Sequence, residues 1–255
     1  MLHPSFPSLR ALLWDVDGTL AETERDGHRL AFNRAFAEAG LPLHWTSELY
    51  GALLRVSGGR ERIAAALLAW RGRPAAAEEI EALQASKQRH YTALIEAGAI
   101  SLRSGVAELI SQAAAAGLRQ VIVTTSGRTA VQGLLRHGLG SLAEAFEFWV
   151  CGDDVASKKP DPEAYLQALQ RLNLSPEQAV AIEDSGNGLQ AARGAGLPCL
   201  ITLSFYGAGE PAHSFAAATA VVDRLGPGGQ VLQGPACGSD GVTLGYLQRL
   251  LAEAF

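Results

Sequence analysis

The stretch Leu12-Leu13-Trp14-Asp15-Val16-Asp17-Gly18-Thr19-Leu20 constrains this chain more than any other. An apolar run stops abruptly at two aspartates separated by one residue, and a Gly-Thr turn follows. Ala11–Trp14 has the length and apolar continuity of a buried strand. In a parallel α/β sheet the carboxyl end of such a strand is where ligands bind. Alternate strand residues point the same way, so Asp15 and Asp17 can face one site. A carboxylate pair there suits a hard cation with oxygen ligands, and one of the two can attack an electrophile. The plainer alternative is an Asp-rich turn whose acids cap the next helix.

Downstream of Leu20 the chain turns helical. Leu30, Phe32, Phe36 and Ala39 fit one face of a helix that stops at Gly40. Further helices are expected at Ser47–Val56, Arg60–Ala69 and Ala76–Ala97. Residues 23–98 therefore read as an all-helical insertion lying over Asp15 and Asp17. From Ser104 a β-α alternation resumes. Helices are expected at Val106–Ala116, Thr129–His137, Pro162–Leu172, Gly186–Ala195 and Val242–Ala254. Strands are expected at Arg119–Thr124, Glu147–Cys151, Ala179–Glu183, Pro198–Leu203 and Ala220–Val222. The Gly- and Pro-rich section Gly226–Gly241 reads as loop. Strands alternating with helices imply an α/β fold, a doubly wound parallel sheet covered on both faces.

Three more polar sites fall at the ends of expected strands. Thr124, Thr125 and Ser126 offer hydroxyls and free backbone N–H groups, a phosphate cradle. Ser126 is also a candidate helix N-cap. Lys158-Lys159-Pro160-Asp161-Pro162 precedes a helix, where a fixed lysine can neutralise phosphate charge. In isolation such a lysine pair reads as solvated surface. Glu183-Asp184-Ser185 follows the apolar run Ala-Val-Ala-Ile, and acids there would complete an oxygen cage for Mg²⁺.

In order and spacing, Asp-x-Asp-Gly-Thr, then Thr124, Lys159-Pro160 and Glu183-Asp184-Ser185 resemble the four motifs of the haloacid dehalogenase superfamily of phosphohydrolases. The resemblance runs through nearly the whole chain. It implies a Rossmann-like core from residues 1–22 and 99–255, with a helical cap at 23–98. It also implies that Asp15 attacks phosphorus to form an aspartyl-phosphate. Asp17 would protonate the leaving oxygen and then activate water. Mg²⁺ would be held by Asp15, the backbone carbonyl of Asp17 and Asp184, with Glu183 close by. Thr124 and Lys159 would hold the transferring phosphoryl oxygens.

Specificity is expected in the helical insertion. Ser57-Gly58-Gly59-Arg60-Glu61-Arg62 opens a helix with two arginines, an arrangement that binds anions. Lys87 lies on a later helix near Arg89 and His90, and Glu24 and His28 follow the first motif. The alternative is that these are surface charges on amphipathic helices, Arg62 pairing with a glutamate. Leu20-Ala-Glu-Thr-Glu, His28, Ala31-Phe32-Asn33, Gly-Gly-Arg-Glu-Arg-Ile and Lys-Gln-Arg-His-Tyr resemble the CbbY branch. That branch is similar to β-phosphoglucomutase and includes xylulose-1,5-bisphosphate phosphatases of Calvin-cycle organisms. The resemblance implies that Glu24, His28, Gly58, Gly59, Arg60, Glu61, Arg62 and Lys87 contact the sugar or its far phosphate. Trp14 stands where Phe is usual, and Arg60 where Lys is common, a planar fork in place of a point donor. A mutase or a broad sugar-monophosphate phosphatase is the competing enzyme. A non-catalytic sugar-phosphate-binding module is the competing class, and the intact Asp15, Asp17, Lys159 and Asp184 argue against it.

Composition narrows the partners. Net charge is −5, so no basic field draws the protein to nucleic acid or an anionic membrane. No apolar run approaches the roughly 20 residues that span a bilayer. Residues Met1 to Arg10 are too short and mixed for a signal peptide. Cys151, Cys199 and Cys237 lack zinc spacing and read as reduced thiols. A cytoplasmic monomer acting on a small sugar phosphate is the expectation.

Overall fold

A computed structural model describes residues 8–255 of the chain. The signal-peptide reading of residues 1–10 therefore lies mostly outside the described residues. The strands are β1 (Ala11–Trp14), β2 (Arg119–Val123), β3 (Phe146–Val150), β4 (Ala179–Glu183), β5 (Cys199–Thr202), β6 (Ala220–Val222) and β7 (Val231–Gln233). The helices are α1 (Arg29–Glu38), α2 (Ser47–Leu53), α3 (Gly59–Arg71), α4 (Ala77–Glu96), α5 (Val106–Ala115), α6 (Arg128–Leu134), α7 (Glu163–Leu172), α8 (Gly186–Gly194) and α9 (Leu244–Ala254).

The sheet runs β3-β2-β1-β4-β5-β6-β7, parallel from β3 to β6 and antiparallel at β7. Chain order reverses between β1 and β4. The carboxyl ends of those two strands are thus the topological switch point, where open α/β sheets bind ligands. β1 is buried throughout because both its faces are covered. Leu12 and Trp14 pack with residues of α5, α6 and α9 on one side. Ala11 and Leu13 pack with α7 and α8 on the other, the period-2 alternation of a strand between two helical layers.

Between β1 and α5 the described residues are helical, opening with a wide π-type turn at Glu24–His28 that runs into α1. Phe32, Phe36, Trp45, Tyr50, Ile63 and Leu67 build a separate apolar cluster there. The expected α1 face is shifted. Ala31, Phe32, Ala35 and Phe36 are buried, Ala39 is the exposed C-cap, and Leu30 packs toward the sheet-side core. Ala39 is exposed because the helix ends at Glu38, one residue before it. The chain leaves and re-enters the α/β part side by side, with Ala21 bridged to Leu102.

The section Gly226–Gly241, read as loop, contains β7. Val221 pairs with Gln233 and Val222 with Val231, and Gln233 Nε2 donates to the Ala218 carbonyl at 2.8 Å. A three-residue edge strand needs only backbone pairing, so the surrounding glycines and prolines hide it from composition. No helix among the described residues is long and apolar enough to cross a membrane.

Candidate active site

The site begins where β1 and β4 end. Asp15 N–H donates to the Ile182 carbonyl at 3.0 Å, which fixes Asp15 beside Glu183 and Asp184. Lys159, from the loop before α7, is buried with its Nζ 2.8 Å from Asp15 Oδ1, 2.5 Å from Glu183 Oε1 and 2.7 Å from the Val123 carbonyl. Tyr165 on α7 donates to the same Glu183 oxygen at 2.6 Å, and Thr19 Oγ1 lies 3.2 Å from Asp15 Oδ2.

Two glycines let these acids converge. Gly18 has φ +86°, and a Cβ there would lie 2.1 Å from Asp184 Oδ2. At Gly188 a Cβ would lie 1.9 Å from Glu183 Oε2. Any side chain at either position would push a carboxylate out of the cluster.

Oxygens of Asp15, Glu183 and Asp184 lie within 4.8 Å of one another, all three residues buried. Burial and the neighbouring Glu183 push the Asp15 carboxyl up to about 8, against the pull of Lys159. Burial, with Asp15 and Glu183, likewise drives Asp184 well above the usual carboxylate range. Burial would lower Lys159, but Asp15 and Glu183 outweigh it and hold that ammonium above its ordinary value. Three acids around one ammonium leave a surplus of buried negative charge. A hard divalent cation with oxygen ligands fits that donor set.

Asp17 sits in a different environment. His28 Nε2 lies 2.9 Å from its Oδ1, Ser126 Oγ donates to its Oδ2 at 2.5 Å, and Thr23 Oγ1 donates to Oδ1 at 2.5 Å. Burial alone would raise this carboxyl, but the charge and hydrogen bond of His28, with Ser126 and Thr23, hold it well below its ordinary value. Two carboxylates one residue apart are therefore pushed in opposite directions by their surroundings. His28 stacks on Tyr91 at 4.1 Å and meets Lys87 Nζ through Nδ1 at 2.9 Å. Burial pulls Lys87 down to about 8.

The hydroxyl cradle divides. Thr124 is buried and its Oγ1 accepts the Ser126 N–H at 3.1 Å. Thr125 lines the main cavity. Ser126 is not an N-cap, since Gly127 holds that position for α6 and the Arg128 N–H is taken by Asp153. Its hydroxyl turns to Asp17 instead.

Above these groups opens a cavity of about 690 Å³, walled on the helical side by Glu24 and Arg62. Arg62 is buried, donates to Tyr50 Oη at 2.8 Å and lies 3.8 Å from Glu24. Tyr50 in turn hydrogen-bonds Glu24. Gly58 and Gly59 border a smaller cavity that also touches His28 and Lys87. Arg60 and Glu61 are drawn elsewhere. Arg60 pairs with Glu81 at 2.5 Å and Asp153 at 3.5 Å, and Glu61 pairs with Lys158. Arg89 and His90 both hold Glu38 on the outer side of α4.

Sequence reasoning missed Thr19, Thr23, Tyr50, Tyr165 and Arg103. Arg103, beside the second connection, donates to the carbonyls of Gly18, Thr202 and Leu203. Thr19 and Thr23 lie four and six positions from Asp15 and Asp17, so their hydroxyls were within reach of the sequence. Tyr50, Tyr165 and Arg103 carry no local signal, because their partners lie 12 to 100 positions away.

A family model for haloacid dehalogenase-like hydrolases matches residues 9–196. The chain belongs to that family, and it is a phosphatase. Within the family it falls in the CbbY-like branch. Protein CbbY of Cereibacter sphaeroides is 46% identical over 199 residues, covering 78% of this chain and 86% of the relative. A CBBY-like protein of Arabidopsis thaliana is 39% identical, covering 85% and 69%. A mutant CbbY from Rhodobacter sphaeroides, crystallised with xylulose-(1,5)bisphosphate, is 43% identical with a TM-score of 0.78, covering 85% of this chain and 94% of that one.

Proposed function

We propose that this chain is a Mg²⁺-dependent phosphatase that converts xylulose 1,5-bisphosphate to xylulose 5-phosphate and phosphate. The observation that carries the reading is Asp15. It is buried beside Lys159 and lines a cavity that Arg62 of the helical insertion also lines. An anionic substrate in that cavity would meet two cationic groups, Lys159 and Arg62. The bisphosphate bound to the CbbY relative supports the same substrate.

In this reading residues 23–98 act as a cap over a core of 1–22 and 99–255. Asp15 Oδ attacks the C1 phosphorus, the bond from phosphorus to the sugar oxygen breaks, and Asp17 delivers a proton to that oxygen. Asp17, now a carboxylate, takes a proton from water as the water oxygen attacks the aspartyl-phosphate. Phosphate leaves and Asp15 is restored. His28, Ser126 and Thr23 favour the ionised form of Asp17, which suits the second half and opposes the first; the proton spent in the first half is the one Asp17 took from water in the turnover before. Lys159 and Thr124 hold equatorial phosphoryl oxygens, with Thr125 and Ser126 beside them. Glu24, His28, Gly58, Gly59, Arg62 and Lys87 hold the sugar or the far phosphate, and Arg60 and Glu61 flank that end. Asp15, Asp184 and the Asp17 carbonyl, with Glu183 close by, would hold Mg²⁺, whose charge offsets repulsion between nucleophile and phosphate when bound.

Phosphate release from a panel of sugar mono- and bisphosphates in Mg²⁺ tests the reading. A strong preference for xylulose 1,5-bisphosphate, lost in Asp15→Asn, is the expected result. Similar modest rates on many monophosphates would overturn the substrate while leaving the chemistry. Incorporation of ¹⁸O from water into the released phosphate separates hydrolysis from phosphoryl return by a mutase.

A further inference from the structure

Arg60 and Glu61, in the first turn of α3, both cross from the helical insertion to the loop between β3 and α7. Arg60 Nη1 lies 3.5 Å from Asp153 Oδ1, and Lys158 Nζ donates to Glu61 Oε1. The two crossings have opposite polarity. The insertion supplies the cation in one and the anion in the other. The first pair is oriented from both sides. Arg60 Nε donates to Glu81 of α4 at 2.5 Å, and Asp153 Oδ2 accepts the Arg128 N–H at the start of α6 at 2.9 Å. Gly58 makes room for the second pair. Its φ is +96°, and a Cβ there would lie 2.1 Å from Glu61 Oε2 and 2.7 Å from Lys158 Nζ. Just before it, Ser57 Oγ accepts from Asn187 Nδ2 of α8 at 3.4 Å. The stretch 57–61 thus meets the α/β part at three points.

The second crossing joins the neighbours of two functional residues. Lys158 precedes Lys159, whose ammonium holds Asp15, and Glu61 precedes Arg62, which lines the main cavity together with Asp15 and Lys159. The pair therefore ties the backbone that carries one cationic group to the backbone that carries the other. Strength is not what these contacts supply. The side chains of Arg60, Glu61 and Asp153 are 44%, 45% and 47% exposed, and ion pairs so open to water are individually weak. What opposite polarity supplies is register. A slip of α3 along the loop sets Arg60 against Lys158 or Glu61 against Asp153, and like charges then meet. A weak contact with one correct register suits two surfaces that must part for substrate to enter and product to leave.

We propose that Arg60–Asp153 and Glu61–Lys158 form the docking latch of the helical insertion, and that Glu61 and Lys158 are positioning residues that set Arg62 and Lys159 at the spacing a substrate with two anionic groups requires. The inference rests on the cap-and-core reading above and deepens it. Both residues act through their neighbours in the chain, so what counts is the pairing of their charges and not the identity of either side chain.

The test is a charge swap read on two substrates, xylulose 1,5-bisphosphate and acetyl phosphate, which carries a single phosphoryl group. Glu61→Lys and Lys158→Glu should each lower the ratio of kcat/KM for the bisphosphate to that for acetyl phosphate by about 10-fold, chiefly through KM. The combined variant, with the two charges exchanged, should bring the ratio back to within about 3-fold of the wild type. Should a reversed variant fail to fold, Glu61→Gln, Lys158→Met and their combination give the same reading, the combined loss being no greater than either single loss. Single losses that the swap does not restore, or that multiply in the combined variant, mean that each side chain acts alone, and they overturn the inference. A merely structural role lowers both substrates together, and an unchanged ratio overturns it equally. If the wild-type protein hydrolyses acetyl phosphate but not the bisphosphate, the substrate reading itself has failed and the latch falls with it.

Discussion

Lys159 donates from Nζ to Asp15 Oδ1 at 2.8 Å across 144 positions of sequence, and the same nitrogen reaches Glu183 at 2.5 Å. One buried ammonium thus serves two buried carboxylates. Lys159→Met should lower kcat by about 10²–10³-fold, the usual cost of losing a preorganised charge at the reacting centre. It should also destabilise the fold by about 3 kcal/mol, because both acids remain buried without their cation. Steady-state kinetics and urea unfolding measure the two effects separately.

Asp17→Asn keeps an acceptor for only one of Thr23, which donates to Oδ1, and Ser126, which donates to Oδ2, and it can neither give nor take the catalytic proton. Activity should fall by about 10²–10⁴-fold with little change in melting temperature. Thermal melts alongside phosphate-release assays check this. A large loss of stability would instead make Asp17 chiefly structural.

Metal removal should expose the charge conflict in the acid cluster. The Asp15 carboxyl is raised from 3.8 to about 8 by burial and Glu183, and Asp184 is raised by burial, Asp15 and Glu183. A carboxyl with a raised folded pKa binds its proton more tightly when folded. The metal-free protein should therefore lose stability as pH rises from about 4 to about 8. Mg²⁺ should flatten that loss, and Asp15→Asn should remove part of it. Melting temperatures across pH, with EDTA and with Mg²⁺, give the comparison.

Trp14 stands where the resemblance gives Phe, and its neighbour explains what the indole adds. Trp14 Nε1 donates to Gln120 Oε1 at 3.1 Å, and Gln120 Nε2 donates to the Ile110 carbonyl at 3.0 Å, all within the core. Trp14→Phe should cost about 1–3 kcal/mol by leaving the Gln120 oxygen unpaired and the space unfilled. Adding Gln120→Leu to Trp14→Phe should cost less than Gln120→Leu alone. A double-mutant cycle by chemical denaturation measures the coupling.

The sheet was largely legible in the sequence because its strands are buried apolar runs that stop at polar groups. Asp15, Asp17, Thr124, Lys159, Glu183 and Asp184 mark those stops, and all lie around the β1/β4 switch point or the strand ends beside it. The helical insertion was legible only as helix. Periodicity could not foresee the π turn at Glu24–His28, or that α1 ends at Glu38 and leaves Ala39 exposed. It also could not say that Arg62 turns inward to Tyr50 while Arg60, two residues away, turns outward to Glu81 and Asp153. Such choices are made by partners distant in sequence. β7 stayed hidden for a related reason, since its pairing with β6 is a backbone matter and its side chains are ordinary.

The most direct test is to find the phosphoryl group itself. The protein is mixed with Mg²⁺ and substrate, quenched in acid within the first turnovers, reduced with borohydride, and digested for mass spectrometry. Borohydride converts an aspartyl-phosphate to homoserine, so homoserine at position 15, absent without substrate and absent in Asp15→Asn, is the predicted result. Unmodified Asp15 during continuing turnover, or phosphate recovered on another residue, would contradict the assignment of Asp15 as the nucleophile.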